Sequence, residues 1–207
     1  MKTMASIDDL LKAIAVCEQP PYDSRLSFPE SIYKLHDFWP RVISVLKPVH
    51  AVELGTGAGR TASLIMAALP ATSKFTTVNV NEPKNSNIRY GYELDGFRHD
   101  HRLLFVRGDS RDPKVREQVK QCQVCNTPRG KIDLLFIDSE HKAHIAYNEF
   151  RLFEPILNDI CFVFVDDLPH HDMIRFWDAI PYHKRNLGGH GVFIYTRTPF
   201  LSWDIEL

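Results

Sequence analysis

Residues 51–65 read AVELGTGAGRTASLI. An apolar run closes around Glu53, glycines alternate at 55, 57 and 59, and a helical spacing of apolar residues follows at once. Glycine tolerates positive φ and lets another backbone or a ligand approach closely, and a helix start offers unpaired N–H groups. The stretch therefore predicts a strand, a tight turn and a helix, with a ligand held against the turn; a turn with no ligand is the plainer alternative. A dinucleotide-binding loop would need G-x-G-x-x-G, and Arg60 stands where the third glycine belongs.

Outward from this turn the chain alternates. Strands are predicted at 49–54, 74–80, 102–107, 132–138 and 160–166, with helices at 59–69, about 84–98, 112–122, 141–157 and 170–179. IDLLFID (132–138) and ICFVFVD (160–166) are almost continuously apolar, as strands buried on both faces are. YHKRNL and VFIYTR flank Gly188-Gly189-His190-Gly191 and predict a hairpin. Before the first strand, Ser6 and Asp9 suggest a helix start. Ile32, Leu35, Trp39, Val42, Ile43 and Leu46 form a second helical stripe over about 29–46, which Pro40 should kink or split and Lys47-Pro48 should end. The expected architecture is α/β and doubly wound: a helical N-terminal cap (1–47), then one domain (48–207) with a mostly parallel sheet and an antiparallel C-terminal hairpin. In such sheets ligands sit beyond the carboxyl ends of the strands.

The motifs at those ends resemble class I S-adenosylmethionine-dependent methyltransferases, which have a Rossmann-like fold. E-L-G-T-G-A-G (53–59) is similar to the family's first motif, which implies that Glu53, Gly55, Thr56 and Gly57 lie beside the cofactor's methionine part. At the end of the second strand, TTVNVNEP puts Asn79 where the family has an acid on the ribose hydroxyls, with Asn81 and Glu82 nearby. FVRGDSRD resembles the adenine-side motif and implies Asp109 and Ser110 as contacts. The resemblance runs from about residue 45 to 198.

The fourth strand ends in Asp138, Glu140 and His141, and the fifth in Asp166 and Asp167, followed by His170, His171 and Asp172. Acids converging on one sheet edge repel one another, and burying them unpaired is costly. A hard divalent cation, Mg²⁺ first, would offset them; strand-end acids that merely cap the next helices are the bland alternative. The layout resembles metal-dependent O-methyltransferases of the catechol type, together with the antibiotic- and sugar-tailoring and cephalosporin-hydroxylase-like group. That likeness implies Asp138, Asp166 and Asp167 as metal ligands, Asp138 also beside the cofactor, and Glu140 or His141 as the base. Leu157-Asn158-Asp159-Ile160 replaces the family's Pro-Gly-Gly before the fifth strand. Methyl transfer from a sulfonium needs a deprotonated nucleophile, which a metal and a base together supply. The implied activity is O-methylation of a small hydroxylated molecule. A non-haem iron oxygenase and a non-catalytic cofactor-binding module on the same fold are the alternatives.

The 207 residues carry a net charge of −1, with 44% hydrophobic and 25% charged residues. That balance gives no field for nucleic acid and no apolar run for a membrane, and leaves a homo-oligomer open. MKTMASIDDLLKAIAV does not read as a secretory signal, and four cysteines are too few for a disulfide scaffold, so a cytoplasmic protein with reduced thiols is expected. Cys122 and Cys125 form a lone CxxC without a second pair for zinc. His144 reads as helix surface, Arg98 to Arg102 as a solvated turn, and Phe38 and Trp39 as core.

Overall fold

The computed structural model describes residues 38–81, 94–121, 131–168, 172–187 and 189–197. The cap helix around Ser6, most of the helix predicted at 84–98, the CxxC pair, Glu82, His170 and His171 lie outside the described residues.

Residues 38–46 form helix α1, unbroken through Pro40. It ends at Lys47, whose φ of 44° is a left-handed stop before Pro48. Then come β1 (His50–Leu54), α2 (Arg60–Ala68), β2 (Lys74–Asn79), a 3₁₀ turn (Leu94–Phe97), β3 (Leu103–Arg107), α3 (Pro113–Gln121), β4 (Ile132–Ile137), α4 (Ala143–Phe153), β5 (Leu157–Val165), α5 (Met173–Ala179), β6 (His183–Asn186) and β7 (Gly191–Thr196). The seven strands order as β3-β2-β1-β4-β5-β7-β6. β1 to β5 pair in parallel, and β7 runs antiparallel between β5 and β6. The chain thus winds outward from β1 to β3, returns to β4, and closes with the expected hairpin.

Strand alternation sorts the apolar side chains onto two faces. Val52, Leu54, Leu135, Ile137, Val163 and Val165 join one core with α3, α4 and α5. Ala51, Leu134, Phe136, Phe162 and Phe164 join the other with α1 and α2. Trp39 lies fully buried in the second core, its ring 4.6 Å from Phe136 and 5.2 Å from Phe164. Phe38 and Trp39 are therefore core, as expected.

The boundaries shift in ways that side chains explain. β5 begins at Leu157 instead of 160, because Leu157 is buried and Asn158 donates to Asp133. Asp133 occupies a register irregularity between Ile132 and Leu134, and its other oxygen accepts from Val49 N at 2.9 Å and His50 N at 3.0 Å. The helix predicted over 141–157 ends at Phe153 and tightens into a 3₁₀ turn at Glu154–Ile156, where Pro155 removes a helical donor. The basic run before β3 is no simple solvated turn. Arg102 grips Asp100 through Nε and Nη2 and donates to Leu69 O, with its side chain only 16% exposed.

Candidate cofactor and acid site

The glycine turn hangs from the end of β2: Gly55 N donates to Val78 O at 2.9 Å and Thr56 N to the same oxygen at 3.3 Å. Gly55 has φ 103°, and a Cβ there would collide with the carbonyl of Asp138. Only glycine lets β1's turn sit on the β4 loop. Gly57, at φ 51°, faces the opposite situation, since nothing lies within 4 Å of where its Cβ would be. The turn is closed on one side by protein and open on the other.

Glu53 lies fully buried behind the turn. Its Oε2 accepts from Thr77 Oγ1 at 2.5 Å, and Thr77 in turn meets Thr56 Oγ1 at 2.5 Å. Oε1 is buried with no hydrogen-bond partner among the described residues. Burial pushes the Glu53 carboxyl up to about 8, with the Thr77 bond offsetting part of the rise. A buried acid with one unsatisfied oxygen beside a glycine turn fits a ligand that brings a positive donor. Asn79, at the end of β2, donates to Asn81 O at 2.8 Å, which links two of the residues singled out for the ribose position.

The β3 end divides its two residues. Asp109 turns outward and holds Arg111 at 2.8 and 2.7 Å. Ser110 turns inward and donates to Glu149 Oε1, which also accepts from Ser139 Oγ at 2.6 Å. Glu149 comes from the buried face of α4, among Ile145, Ala146, Phe150 and Phe153. A charged residue inside that apolar stripe is the signal that the sequence carries for it. Thr77, Ser139 and His190 also enter the site, with no local motif to mark them.

The acids at the ends of β4 and β5 do converge. Asp138, His141 and Asp166 each offer one ligand atom, all within 4.8 Å of one another. Asp167 adopts a left-handed φ of 53° and brings its carboxylate to His141 Nδ1 at 2.9 Å, while His141 Nε2 lies 3.4 Å from Asp138. Thus Asp167 reaches the group through His141. Asp166 lies against Nδ1 of His190, a buried residue of the β6–β7 hairpin; His190 Nε2 is buried without a partner among the described residues. The rings of Phe38 and Phe136 flank His190 at 5.1 and 5.9 Å.

Burial and the Asp166 charge raise the Asp138 carboxyl well above its usual range, whereas at Asp166 burial, the largest single influence, is outweighed by the His190 ring together with hydrogen bonds from Asp138 and the Asp167 backbone, which lower it. Hydrogen bonds to Asp138 and Asp167 hold the His141 imidazolium, raised to about 10. Protonated His141 and the proton that Asp138 keeps beside Asp166 supply part of the positive charge that the acids require. Glu140 stands apart: its side chain is 49% exposed and bonds Lys142 Nζ at 2.9 Å. His144 is exposed on α4, as expected.

Residues 52–168, more than half of the chain, match the model of the methyltransferase-domain family. The chain belongs to that family. Among curated proteins, the rhamnosyl O-methyltransferase of Mycobacterium tuberculosis is 30% identical over 136 residues, which is 63% of this chain and 51% of that protein. The chain thus spans about half the length of the curated relatives it matches. Among solved structures, a methyltransferase from Geobacter sulfurreducens superposes with a TM-score of 0.57 at 12% identity, covering 86% of this chain and 99% of that one. An O-methyltransferase from Bacillus cereus in complex with S-adenosylhomocysteine superposes with a TM-score of 0.52 at 17% identity, covering 90% and 87%. These likenesses establish the class I methyltransferase fold for this family member. No helix among its described residues is long and apolar enough to cross a membrane.

Proposed function

We propose that this methyltransferase-domain protein binds S-adenosylmethionine at the ends of β1, β2 and β3 and methylates a hydroxyl of a small molecule at the acid cluster. The observation that carries the reading is the pairing of a half-open glycine turn with the buried, half-satisfied Glu53 at one end of the same sheet as Asp138, His141, Asp166 and Asp167. The relatives' names point to methyl transfer, and none points to iron oxygenation. The rhamnosyl acceptor in one relative's name makes a sugar hydroxyl the first acceptor class to try.

Glu53, once ionised, offers its free oxygen to a positive group of the cofactor, and Gly57 leaves room for the cofactor to lie against the backbone. Asn79 offers an amide to hydroxyls at the end of β2, with Asp109 and Ser110 on the β3 side and Asp138 beside the turn. His141 is the better base than Glu140. Asp167 on Nδ1 fixes the ring, and the imidazolium that the two acids favour must first release its Nε2 proton, after which Nε2 accepts the proton of the acceptor hydroxyl. Glu140 is instead occupied by Lys142 on the outside.

Asp138, Asp166 and Asp167 would hold a divalent cation. The donor set fits one, since carboxylate oxygens of Asp138 and Asp166 gather within ligand distance, Asp167 stands next to them on His141, and their charge is only partly offset within the protein. When bound, such a cation neutralises the acids and acidifies the acceptor hydroxyl. Carboxylate oxygens suit Mn²⁺ as well as Mg²⁺, so both ions belong in the test.

Calorimetric titration with S-adenosylmethionine in Mg²⁺, in Mn²⁺ and in EDTA tests this reading. Binding is expected in all three, with methylation of hydroxylated acceptors only where metal is present. Asp166→Asn should abolish that activity and leave cofactor affinity within about threefold, a change below about 0.7 kcal/mol. Absence of binding in every buffer overturns the cofactor assignment, and collapse of binding in the Asn variant overturns the metal role.

A further inference from the structure

We infer that Glu149 is a positioning residue that ties the cofactor-side loop after β3 to the acid-bearing loop after β4. This rests on the proposal that the β1–β3 ends hold S-adenosylmethionine.

One oxygen of Glu149, Oε1, receives both Ser110 Oγ and Ser139 Oγ. Ser110 follows Asp109 in the adenine-side motif, and Ser139 lies between Asp138 and Glu140. A third loop joins through the backbone, because Gly55 packs on the Asp138 carbonyl and the Ser139 Cα. One side chain thus holds the β3 loop to the β4 loop on which the glycine turn packs, and it is itself 0% exposed and rooted in the buried face of α4. Among the described residues, Glu149 is the side chain that hydrogen-bonds both serines.

An acid at this place is expensive. It sits among Ile145, Ala146, Phe150 and Phe153, and its Oε2 is buried with no partner among the described residues. A leucine would fill the space without that cost, so packing does not account for the residue. What a leucine cannot do is accept two hydroxyl protons at once from two loops. Glu149 touches neither reacting group; its effect would be to hold the cofactor side at a set distance from Asp138 and His141. Reacting groups that drift by about 1 Å lose rate by about a hundredfold.

The experiment uses the whole chain, with S-adenosylhomocysteine as the probe, in Glu149→Leu, Glu149→Gln, Ser110→Ala and Ser139→Ala. Calorimetric affinity and hydrogen exchange of the unliganded protein are both read. Glu149→Leu should weaken binding about tenfold or more and speed exchange at residues 108–112 and 138–142 together. Glu149→Gln keeps an acceptor oxygen and should restore binding to within about threefold. Each serine variant should weaken binding in the parent and add less than about twofold in the Glu149→Leu background, as members of one coupled network do. If the Leu variant binds like the parent and both loops exchange unchanged, Glu149 is only a buried filler and the inference fails. If the serine effects persist undiminished in the Leu background, the serines act without Glu149 and the inference also fails. If the parent does not bind the probe but the two loops still loosen together in the Leu variant, the tie stands and the cofactor proposal is what fails.

Discussion

Gly57 and Gly55 share a turn and a positive φ, but they answer to different demands. At Gly55 the added methyl of alanine meets the Asp138 carbonyl, so Gly55→Ala perturbs the fold itself. At Gly57 the methyl enters open space, and only the left-handed backbone costs anything, about 1–2 kcal/mol. Gly57→Ala should therefore fold, melt a few degrees lower, and lose S-adenosylmethionine affinity by about tenfold or more by calorimetry. Glu53 makes a separate prediction through pH. Its folded carboxyl is raised to about 8, above the ordinary value of 4.5. Below that ordinary value both folded and unfolded chains carry the proton and nothing is lost. Between the two values the unfolded chain releases the proton and the folded one keeps it, so stability falls as pH rises, by at most about 1.4 kcal/mol per pH unit. Glu53→Gln has no such titration. In urea melts of the unliganded protein at pH 5, 6.5 and 8, the variant should gain on the parent at each step, and a constant difference would show that Glu53 titrates normally.

At the scale of elements, the strands were far more legible than the helix ends. IDLLFI and CFVFV declare two-sided burial by their unbroken apolar runs, and they are β4 and the core of β5. The start of β5 was not legible, because Leu157-Asn158-Asp159 looks like a loop until Asp133 supplies a partner from the neighbouring strand. That same carboxylate satisfies two backbone N–H groups at the start of β1. Asp133→Ala leaves both donors without their acceptor and should cost about 2–3 kcal/mol in chemical denaturation, with cofactor affinity unchanged because the site lies at the opposite end of the sheet. Asp133→Asn keeps one acceptor oxygen and should recover part of the loss.

For the whole molecule, the acid cluster raises the question of whether the fold depends on a metal. His141, favoured as an imidazolium, lies between Asp138 and Asp167, and Asp138 keeps its proton beside Asp166, so the protein offsets part of the cluster's charge itself. Melting in EDTA should therefore stay within about 2 °C of melting in metal-free buffer. Saturating Mg²⁺ or Mn²⁺ at about 100 times its Kd should add about 2.7 kcal/mol, or about 5–10 °C for a chain of this size. Unfolding in EDTA would mean that the cation is part of the fold.

What the sequence determined by itself is what depends on near neighbours along the chain. Alternation and apolar runs set the strands, glycine spacing set the turn after β1, and the strand-end acids announced themselves by position. Asp138, Asp166 and Asp167 were all named from such local cues. Tertiary structure alone decided which of these groups touch. His141 takes Asp167 through a left-handed backbone at residue 167, Glu140 turns away to Lys142, and His190 arrives from a hairpin some 24 residues beyond Asp166. Glu149 shows the boundary most clearly. Its place in an apolar helix face could be read from period alone, but its two serine partners come from the ends of two different strands. Hydrogen bonds between segments distant in sequence depend on how the sheet orders its strands, and no local pattern carries that order.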